Sequence, residues 1–189
     1  MPEFTRDWLS HDIPIWQQVF ASCLGNELQC LEIGCFEGKS TTWLLDNVLT
    51  NEKSKITCVD PFESDEELKD VDFKEIKNRF LHNVEKYGDK VELRTAPSVD
   101  ALRDLIEERR GFDIIYVDGS HLTSDVLTDA VLSHLVLRQA GILIFDDYMW
   151  HGLAKFPMTP KAAIDAFMDC FCNEYEVLHI GYQVILKKK

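Results

Sequence analysis

Acidic side chains stand directly after two apolar runs of this chain, and a histidine lies close to one of them. Asp118 follows the run FDIIYV and precedes His121, whereas Asp146 and Asp147 follow the run ILIF. Carboxylate oxygens without cysteine are the ligands that hard cations such as Mg²⁺ or Mn²⁺ prefer. Without a cation, three gathered carboxylates would repel one another and raise their pKa values. The pattern predicts a divalent-metal site at Asp118, Asp146 and Asp147, beside a histidine able to accept a proton.

A glycine-rich turn follows an earlier apolar run, in the segment LEIGCFEGKSTTWLL. Gly34 and Gly38 let the backbone approach a ligand closely, and the helix after them presents N–H groups to a carboxylate or phosphate. A dinucleotide-binding turn would carry a glycine where Glu32 stands, and this carboxylate favours a ligand with an ammonium group over a pyrophosphate. Asp60 ends the next apolar run, where an acidic residue usually accepts both hydroxyls of a ribose. Together these residues predict a nucleoside ligand.

Apolar runs that alternate with amphipathic segments must position these side chains. Strands are predicted at residues 29–33, 55–59, 91–95, 112–117 and 142–145, with helices before, between and after them and a closing hairpin at 175–180 and 182–187. Strand–helix alternation implies a parallel sheet covered on both faces, and the hairpin adds an antiparallel strand. The predicted fold is α/β, a Rossmann-like doubly wound, seven-stranded, mostly parallel sheet. In such sheets, ligands bind beyond the carboxyl ends of the strands.

Length and composition favour one domain over residues 1–189, with an N-terminal helical segment, residues 1–25, that covers the site. The formal net charge of -13 argues against nucleic acid, whose phosphates need clustered Lys and Arg. The apolar runs are too short to cross a membrane, and the first residues lack the pattern of a secretory signal. Six cysteines without a C-x-x-C pair are interpreted as reduced and structural, which favours the cytoplasm.

Two motif pairs carry a family resemblance. LEIGCFEGKSTTWLL and ITCVDPFE resemble the cofactor loop and the ribose-binding strand end of class I S-adenosylmethionine-dependent methyltransferases. IIYVDGSH followed by ILIFDDY resembles the metal-dependent small-molecule O-methyltransferases, in particular the macrocin-type sugar methyltransferases, and the resemblance covers about residues 31–187. It implies S-adenosylmethionine as cofactor, bound by Glu32, Gly34, Cys35, Phe36, Gly38, Ser40, Thr41, Asp60, Pro61, Ser98 and Asp118.

The resemblance also implies individual roles. Glu32 and Gly34 would meet the methionine ammonium and Ser40 its carboxylate. Asp60 would bind the ribose and Ser98 the adenine edge. The acidic residues after the two later strands would be metal ligands. His121 would be the catalytic base, whereas catechol-type relatives carry a lysine there, which makes a catechol a less expected substrate.

The predicted function is a metal-assisted O-methylation of a hydroxyl on a small molecule, a sugar or other polyol-like acceptor. Two alternatives stay open: a non-catalytic S-adenosylmethionine-binding module, and a nicotinamide-dependent oxidoreductase, which Glu32 disfavours. The acidic residues could instead be helix-capping or turn residues, and His121 a surface histidine. The acceptor, the choice of metal and the oligomeric state stay open, and a homo-oligomer is compatible with the sequence.

Overall fold

Seven strands and six helices alternate along the chain in the computed structural model, which describes residues 2–63, 69, 71–150 and 159–189. The strands are β1 Gln29–Ile33, β2 Lys55–Val59, β3 Val91–Arg94, β4 Phe112–Val117, β5 Leu137–Phe145, β6 Tyr175–Ile180 and β7 Val184–Lys188. The helices are α1 Ile13–Phe20, α2 Lys39–Asn47, α3 Phe73–Val84, α4 Ser98–Glu107, α5 Thr123–Val136 and α6 Pro160–Cys170. A 3-10 segment, Glu85–Lys90, joins α3 to β3.

All seven strands form one sheet in the order β3-β2-β1-β4-β5-β7-β6. Strands β1 to β5 pair in parallel, and β7 pairs antiparallel with both β5 and β6. The predicted α/β sheet with one reversed strand in a C-terminal hairpin is therefore confirmed. The strand order reverses between β1 and β4, and this is where open α/β sheets bind their ligands.

Two hydrophobic cores, one on each face of the sheet, hold the helices in place. Trp16, Leu44 and Phe80 bring α1, α2 and α3 onto one face, whereas Leu102 and Phe167 bring α4 and α6 onto the other, together with α5. Side chains along each strand alternate between the two cores because successive residues of a strand point to opposite faces.

The fifth strand departs from its predicted bounds. It begins at Leu137 rather than at residue 142, because Leu137 already pairs with Phe112 of β4. The register then shifts before Ile114 pairs with Ile142, and Ala140 has a positive φ of 61°, which is typical of a bulge. The irregular part is exposed, so the sequence there carries no continuous apolar run.

Within the N-terminal segment, α1 covers Ile13–Phe20, and the described residues before and after it form turns and irregular structure. No helix in the described part of the chain is long and apolar enough to cross a membrane. All six cysteines lie among the described residues, and each is a free thiol.

Candidate active site

The turn after β1 packs tightly against the end of β4. The N–H of Gly34 donates to the carbonyl of Val59 (2.8 Å), and the N–H of Asp118 donates to the carbonyl of Ile33 (2.8 Å). Gly34 has a φ of 82°, and a Cβ placed there would lie 2.0 Å from the carbonyl oxygen of Asp118. Glycine is required at this position because the backbone of β4 leaves no room for a side chain.

Glu32 is fully buried beneath the first turn of α2 rather than open to a ligand. Its two carboxylate oxygens accept hydrogen bonds from the hydroxyls of Ser40 and Thr41, and the thiol of Cys58 lies 3.7 Å from one of them. Burial raises the pKa of Glu32 to about 7, although these donors lower it. This carboxyl ties β1 to α2, and the Ser40 hydroxyl is engaged with it. Contact of Glu32 with a ligand ammonium stays a prediction.

Asp60 organises the turn from the end of β2. Its Oδ2 accepts the backbone N–H groups of Cys35 (3.0 Å) and Phe36 (2.9 Å), and its Oδ1 accepts that of Phe62 (2.7 Å). Phe36 has a φ of 45°, a conformation uncommon for a bulky residue, and these bonds hold it there. Asp60 is 9% exposed, and burial raises its pKa against the effect of the three N–H donors. Its carboxylate shapes the loop, and ribose binding stays a prediction.

The N-terminal residues lie across this loop. Thr5 donates through its N–H (2.6 Å) and its hydroxyl (2.7 Å) to the buried carboxylate of Glu37. Asn83 of α3 accepts the N–H of Glu3 (2.7 Å) and donates to the carbonyls of Glu3 (2.9 Å) and Glu37 (2.8 Å). The ring of Trp8 lies 5.0 Å from that of Phe36. The non-helical residues before α1 therefore contact this loop, and their covering of a ligand site stays a prediction.

A cavity of about 50 Å³ remains between the N-terminal residues and the loop. Its walls include five residues predicted to bind the cofactor and six others that the sequence did not single out for this role. The predicted ones are Gly34, Cys35, Phe36, Ser40 and Asp118, and the others are Arg6, Trp8, Leu9, Glu37, Lys39 and Tyr116. The remaining predicted residues, Glu32, Gly38, Thr41, Asp60, Pro61 and Ser98, do not line this cavity. A cavity of this size is far below the roughly 300–1,000 Å³ of small-molecule sites.

Ser98 lies at the first position of α4, and its hydroxyl faces the buried carboxylate of Asp129 on α5. Burial raises the pKa of Asp129 to about 6, and the Ser98 hydroxyl lowers it. Both helices pack on the far face of the sheet. The place of Ser98 at an adenine edge stays a prediction.

The three aspartates of the predicted metal site come together at the ends of β4 and β5. One carboxylate oxygen from each of Asp118, Asp146 and Asp147 lies within 4.8 Å of the others. The parallel pairing of β4 with β5 ends at Val117 and Phe145, so the residues that follow leave the sheet side by side. Asp147 has a positive φ of 59°, a conformation that aspartate tolerates better than most residues.

Two polar side chains that the sequence reasoning missed hold Asp146. The hydroxyl of Tyr116 bonds with Asp118 (2.9 Å) and with Asp146, and Gln183 donates from Nε2 to Asp146 (2.9 Å). Tyr116 precedes Asp118 by two positions, and residues two apart on a strand share a face, so its contact with Asp118 could have been predicted from the spacing. The contact of Gln183 could not, because the hairpin brings this residue in from a distant part of the sequence.

His121 contacts the third aspartate. Its Nε2 lies 2.8 Å from Oδ2 of Asp147, and the hydroxyl of Tyr182 donates to Oδ1 of Asp147 (2.9 Å). The imidazole stacks on the indole of Trp150, with centroids 4.4 Å apart and an interplanar angle of 23°. The side chain of His121 is 26% exposed, so it is accessible from solvent while two neighbours fix its orientation.

The electrostatics of the cluster favour a positive ion. Burial raises the pKa of Asp118, and the charges of Asp146 and Asp147 raise it further. The pKa of Asp146 is raised for the same reasons, burial first and then Asp147. Among the described residues, no lysine or arginine forms a hydrogen bond or an ion pair with the three carboxylates. An all-oxygen donor set of this charge fits Mg²⁺ or Mn²⁺.

Comparisons with known proteins identify a family for this chain. A family model described as a methyltransferase domain matches residues 31–148, more than half of the chain. An uncharacterized protein of Acanthamoeba polyphaga mimivirus is 27% identical over 127 residues, which cover 65% of this chain and 52% of that protein.

Solved methyltransferases share the fold at low identity. The methyltransferase MycE of the mycinamycin biosynthetic pathway, in complex with Mg, SAH and mycinamycin VI, superposes with a TM-score of 0.70 at 16% identity, over 97% of this chain and 50% of MycE. An O-methyltransferase from Bacillus cereus in complex with SAH gives a TM-score of 0.69 at 17% identity, over 100% of this chain and 84% of that one. The chain therefore spans about half the length of MycE and of the viral relative.

Proposed function

The chain belongs to the methyltransferase domain family, and we propose that it methylates a hydroxyl of a small molecule with S-adenosylmethionine and a divalent cation. The observation that carries this proposal is the convergence of Asp118, Asp146 and Asp147 within 4.8 Å at the ends of two adjacent strands, beside the glycine turn. The acceptor class that we propose is a sugar or another polyol-like molecule. Mycinamycin VI in the MycE complex is a small-molecule precedent for the same fold.

The cofactor would bind between the glycine turn and the N-terminal residues. Gly34, Phe36 and Ser40 face the cavity there, and α2 begins at its wall without a side-chain cap, which leaves N–H groups for the methionine carboxylate. Because the cavity measures about 50 Å³, the residues over it, Arg6 and Trp8 among them, must move outward to admit a nucleoside. Bound S-adenosylmethionine would supply the methyl group.

The three aspartates would hold the cation through their carboxylate oxygens. A bound divalent ion lowers the pKa of an acceptor hydroxyl and orients it for attack on the methyl carbon. Both oxygens of Asp147 already contact a side chain, but a carboxylate oxygen has two lone pairs and can accept a second partner. Asp118 lines the cofactor cavity as well, so the ion and the cofactor would share one wall.

His121 would take the proton that the acceptor hydroxyl loses. Asp147 and the indole of Trp150 orient its imidazole, and its partial exposure leaves it within reach of an incoming molecule. An imidazole is a suitable base because its pKa lies near neutral pH. The reaction would then form an O–CH₃ bond and break the bond between that methyl group and the donor sulfur.

The test combines binding with turnover. Calorimetry should show that the protein binds S-adenosylmethionine, with NAD as the control ligand. Formation of SAH should then be measured against a panel of hydroxylated sugars and polyols, with Mg²⁺, with Mn²⁺ and with a chelator. We expect turnover that needs the metal and is lost in Asp118→Asn. The matched control is Asp113→Asn at the opposite end of β4, where Asp113 pairs with Arg138 (2.7 Å), and it should turn over like the wild type.

Each other outcome contradicts part of the proposal. Full turnover in the presence of the chelator would remove the cation from it. Binding of S-adenosylmethionine without turnover of any acceptor would favour a non-catalytic binding module. Binding of NAD instead would favour the oxidoreductase alternative.

A further inference from the structure

A fourth acidic side chain, Asp12, is buried in the N-terminal segment just before α1. The residue is 6% exposed, and no described residue donates a hydrogen bond to its Oδ2, which is shielded from solvent. Nε2 of His11 lies 3.0 Å from this oxygen and forms an ion pair with it when the imidazole is protonated, but it does not form a hydrogen bond with it. A buried carboxylate oxygen that accepts no hydrogen bond is costly, and the described residues donate none to this one.

The helix does not provide that partner. An aspartate at this position usually accepts an N–H of the first turn through its side chain. In α1 the backbone carbonyl of Asp12 accepts the N–H groups of Ile15 and Trp16 (3.1 Å each), whereas the side chain makes no capping bond. The carboxylate of Asp12 is therefore not explained by the start of the helix.

Contacts on α1 fix this part of the chain against the cluster of aspartates. Trp16, one turn after Asp12, donates from Nε1 to Gln183 (2.6 Å), and Gln183 in turn donates to Asp146. The indole of Trp16 also packs edge-on against Tyr116, with centroids 5.1 Å apart, and the Tyr116 hydroxyl bonds with Asp146. Both chains of contacts end on the same carboxylate.

A separate contact reaches the third aspartate. The imidazole of His11 packs edge-on against Tyr182, with centroids 5.4 Å apart, and the hydroxyl of Tyr182 donates to Asp147. Burial and the charges of Asp146 and Asp147 raise the pKa of Asp12 to about 6, and His11 lowers it. The charges of Asp146 and Asp147 therefore act on Asp12 from outside it, since the three-oxygen group within 4.8 Å does not include this carboxylate.

We propose that Asp12 is a fourth carboxylate of the cation site, and that it accepts hydrogen bonds from water molecules bound to the ion. This inference rests on the metal site of the proposed function. Mg²⁺ usually keeps several waters in protein sites, and the carboxylates that receive such outer contacts tune affinity for the metal. Cation binding then draws the N-terminal segment onto the site, because Asp12 belongs to the segment that covers the cofactor loop.

The test titrates Mn²⁺ alone into the full chain by calorimetry, without cofactor or acceptor. Asp12→Asn keeps the shape of the side chain and removes its charge, and we expect its affinity for Mn²⁺ to fall about 10- to 100-fold. The control is Asp7→Asn in the same segment, where the half-exposed Asp7 pairs with Lys39 (2.7 Å). Its affinity should equal that of the wild type.

Thermal unfolding provides the second readout. Without metal, Asp12→Asn should melt at a higher temperature than the wild type, since it removes a buried charge among like charges. Added Mn²⁺ should raise its melting temperature less than that of the wild type.

The outcomes separate this inference from the metal site itself. If Asp12→Asn binds Mn²⁺ as tightly as the wild type, or melts below it without metal, the role of Asp12 is overturned and the three-aspartate site stands. If the wild type binds no Mn²⁺, the site itself is overturned, and this inference with it.

Discussion

Replacing Glu32 with glutamine tests the buried position of this residue. The carboxyl is fully buried, and its oxygens accept the hydroxyls of Ser40 and Thr41. Glutamine has nearly the same shape and stays neutral at every pH. The two hydroxyls can rotate so that one donates to the amide oxygen and the other accepts from the amide nitrogen. Glu32→Gln should therefore keep the contacts and remove the cost of burying a negative charge.

The magnitude follows from the pKa. Burial raises it from the usual 4.5 to about 7, so the folded protein binds this proton more tightly than the unfolded chain does. The stabilisation from the protonated carboxyl is complete below pH 4.5 and is lost as the pH rises through 7. Each tenfold change in proton affinity is worth about 1.4 kcal/mol. Glu32→Gln should therefore gain about 2–3 kcal/mol in free energy of unfolding relative to the wild type between pH 5 and pH 8.5.

Urea unfolding of both proteins at pH 5 and pH 8.5 measures this gain. Comparing the two proteins at each pH cancels the contribution of the other titrating groups. Comparing that difference between the two pH values cancels any pH-independent effect of the amide. Glu52→Gln replaces an exposed carboxyl and is the control that should leave both unfolding curves unchanged. If the stability difference between Glu32→Gln and the wild type is the same at both pH values, the buried charge is not where the structure places it.

Three further changes test the packing around the site. Gly34→Ala should lower the melting temperature strongly, because its Cβ would lie 2.0 Å from a carbonyl oxygen. Gly25 has a similar φ of 80° but open space around it, so Gly25→Ala should lower the free energy of unfolding by only about 1–2 kcal/mol. An equal drop in melting temperature in the two variants would contradict the close approach at Gly34. Tyr116→Phe removes the hydroxyl that bonds with two aspartates and should lower the free energy of unfolding at pH 8 by about 1–3 kcal/mol; an unchanged urea midpoint would refute this. Asn83→Ala removes three hydrogen bonds under the N-terminal residues and should speed proteolysis within residues 2–12 about tenfold, whereas wild-type cleavage rates would show that these bonds do not hold the segment.

The strands of the sheet could be predicted because each one is specified by its own short stretch of sequence. Buried parallel strands are short apolar runs, and the predicted bounds of β1, β2 and β4 agree with the structure residue for residue. The start of β5 could not be predicted, because its first residues are exposed and are placed by pairing with Phe112 rather than by their own pattern.

Of the candidate site, only the residues that directly follow a strand could be predicted to lie together. Asp118 and Asp146 follow apolar runs, and the parallel pairing of those runs brings them together. The partners of a carboxylate depend on tertiary contacts: Glu32 accepts a hydroxyl of α2, and Asp60 accepts backbone N–H groups of the loop. Asp12 has no local signal, because only the packing of α1 brings it near the aspartates.

A crystal grown with SAH and Mn²⁺ tests the proposed cation site most directly, because Mn²⁺ can be located by its anomalous scattering. We expect one anomalous peak in coordination contact with oxygens of Asp118, Asp146 and Asp147, and SAH against the glycine turn beside it. Bound SAH with no peak between these three aspartates, at a Mn²⁺ concentration that saturates other Mn²⁺ sites, would contradict the proposed site.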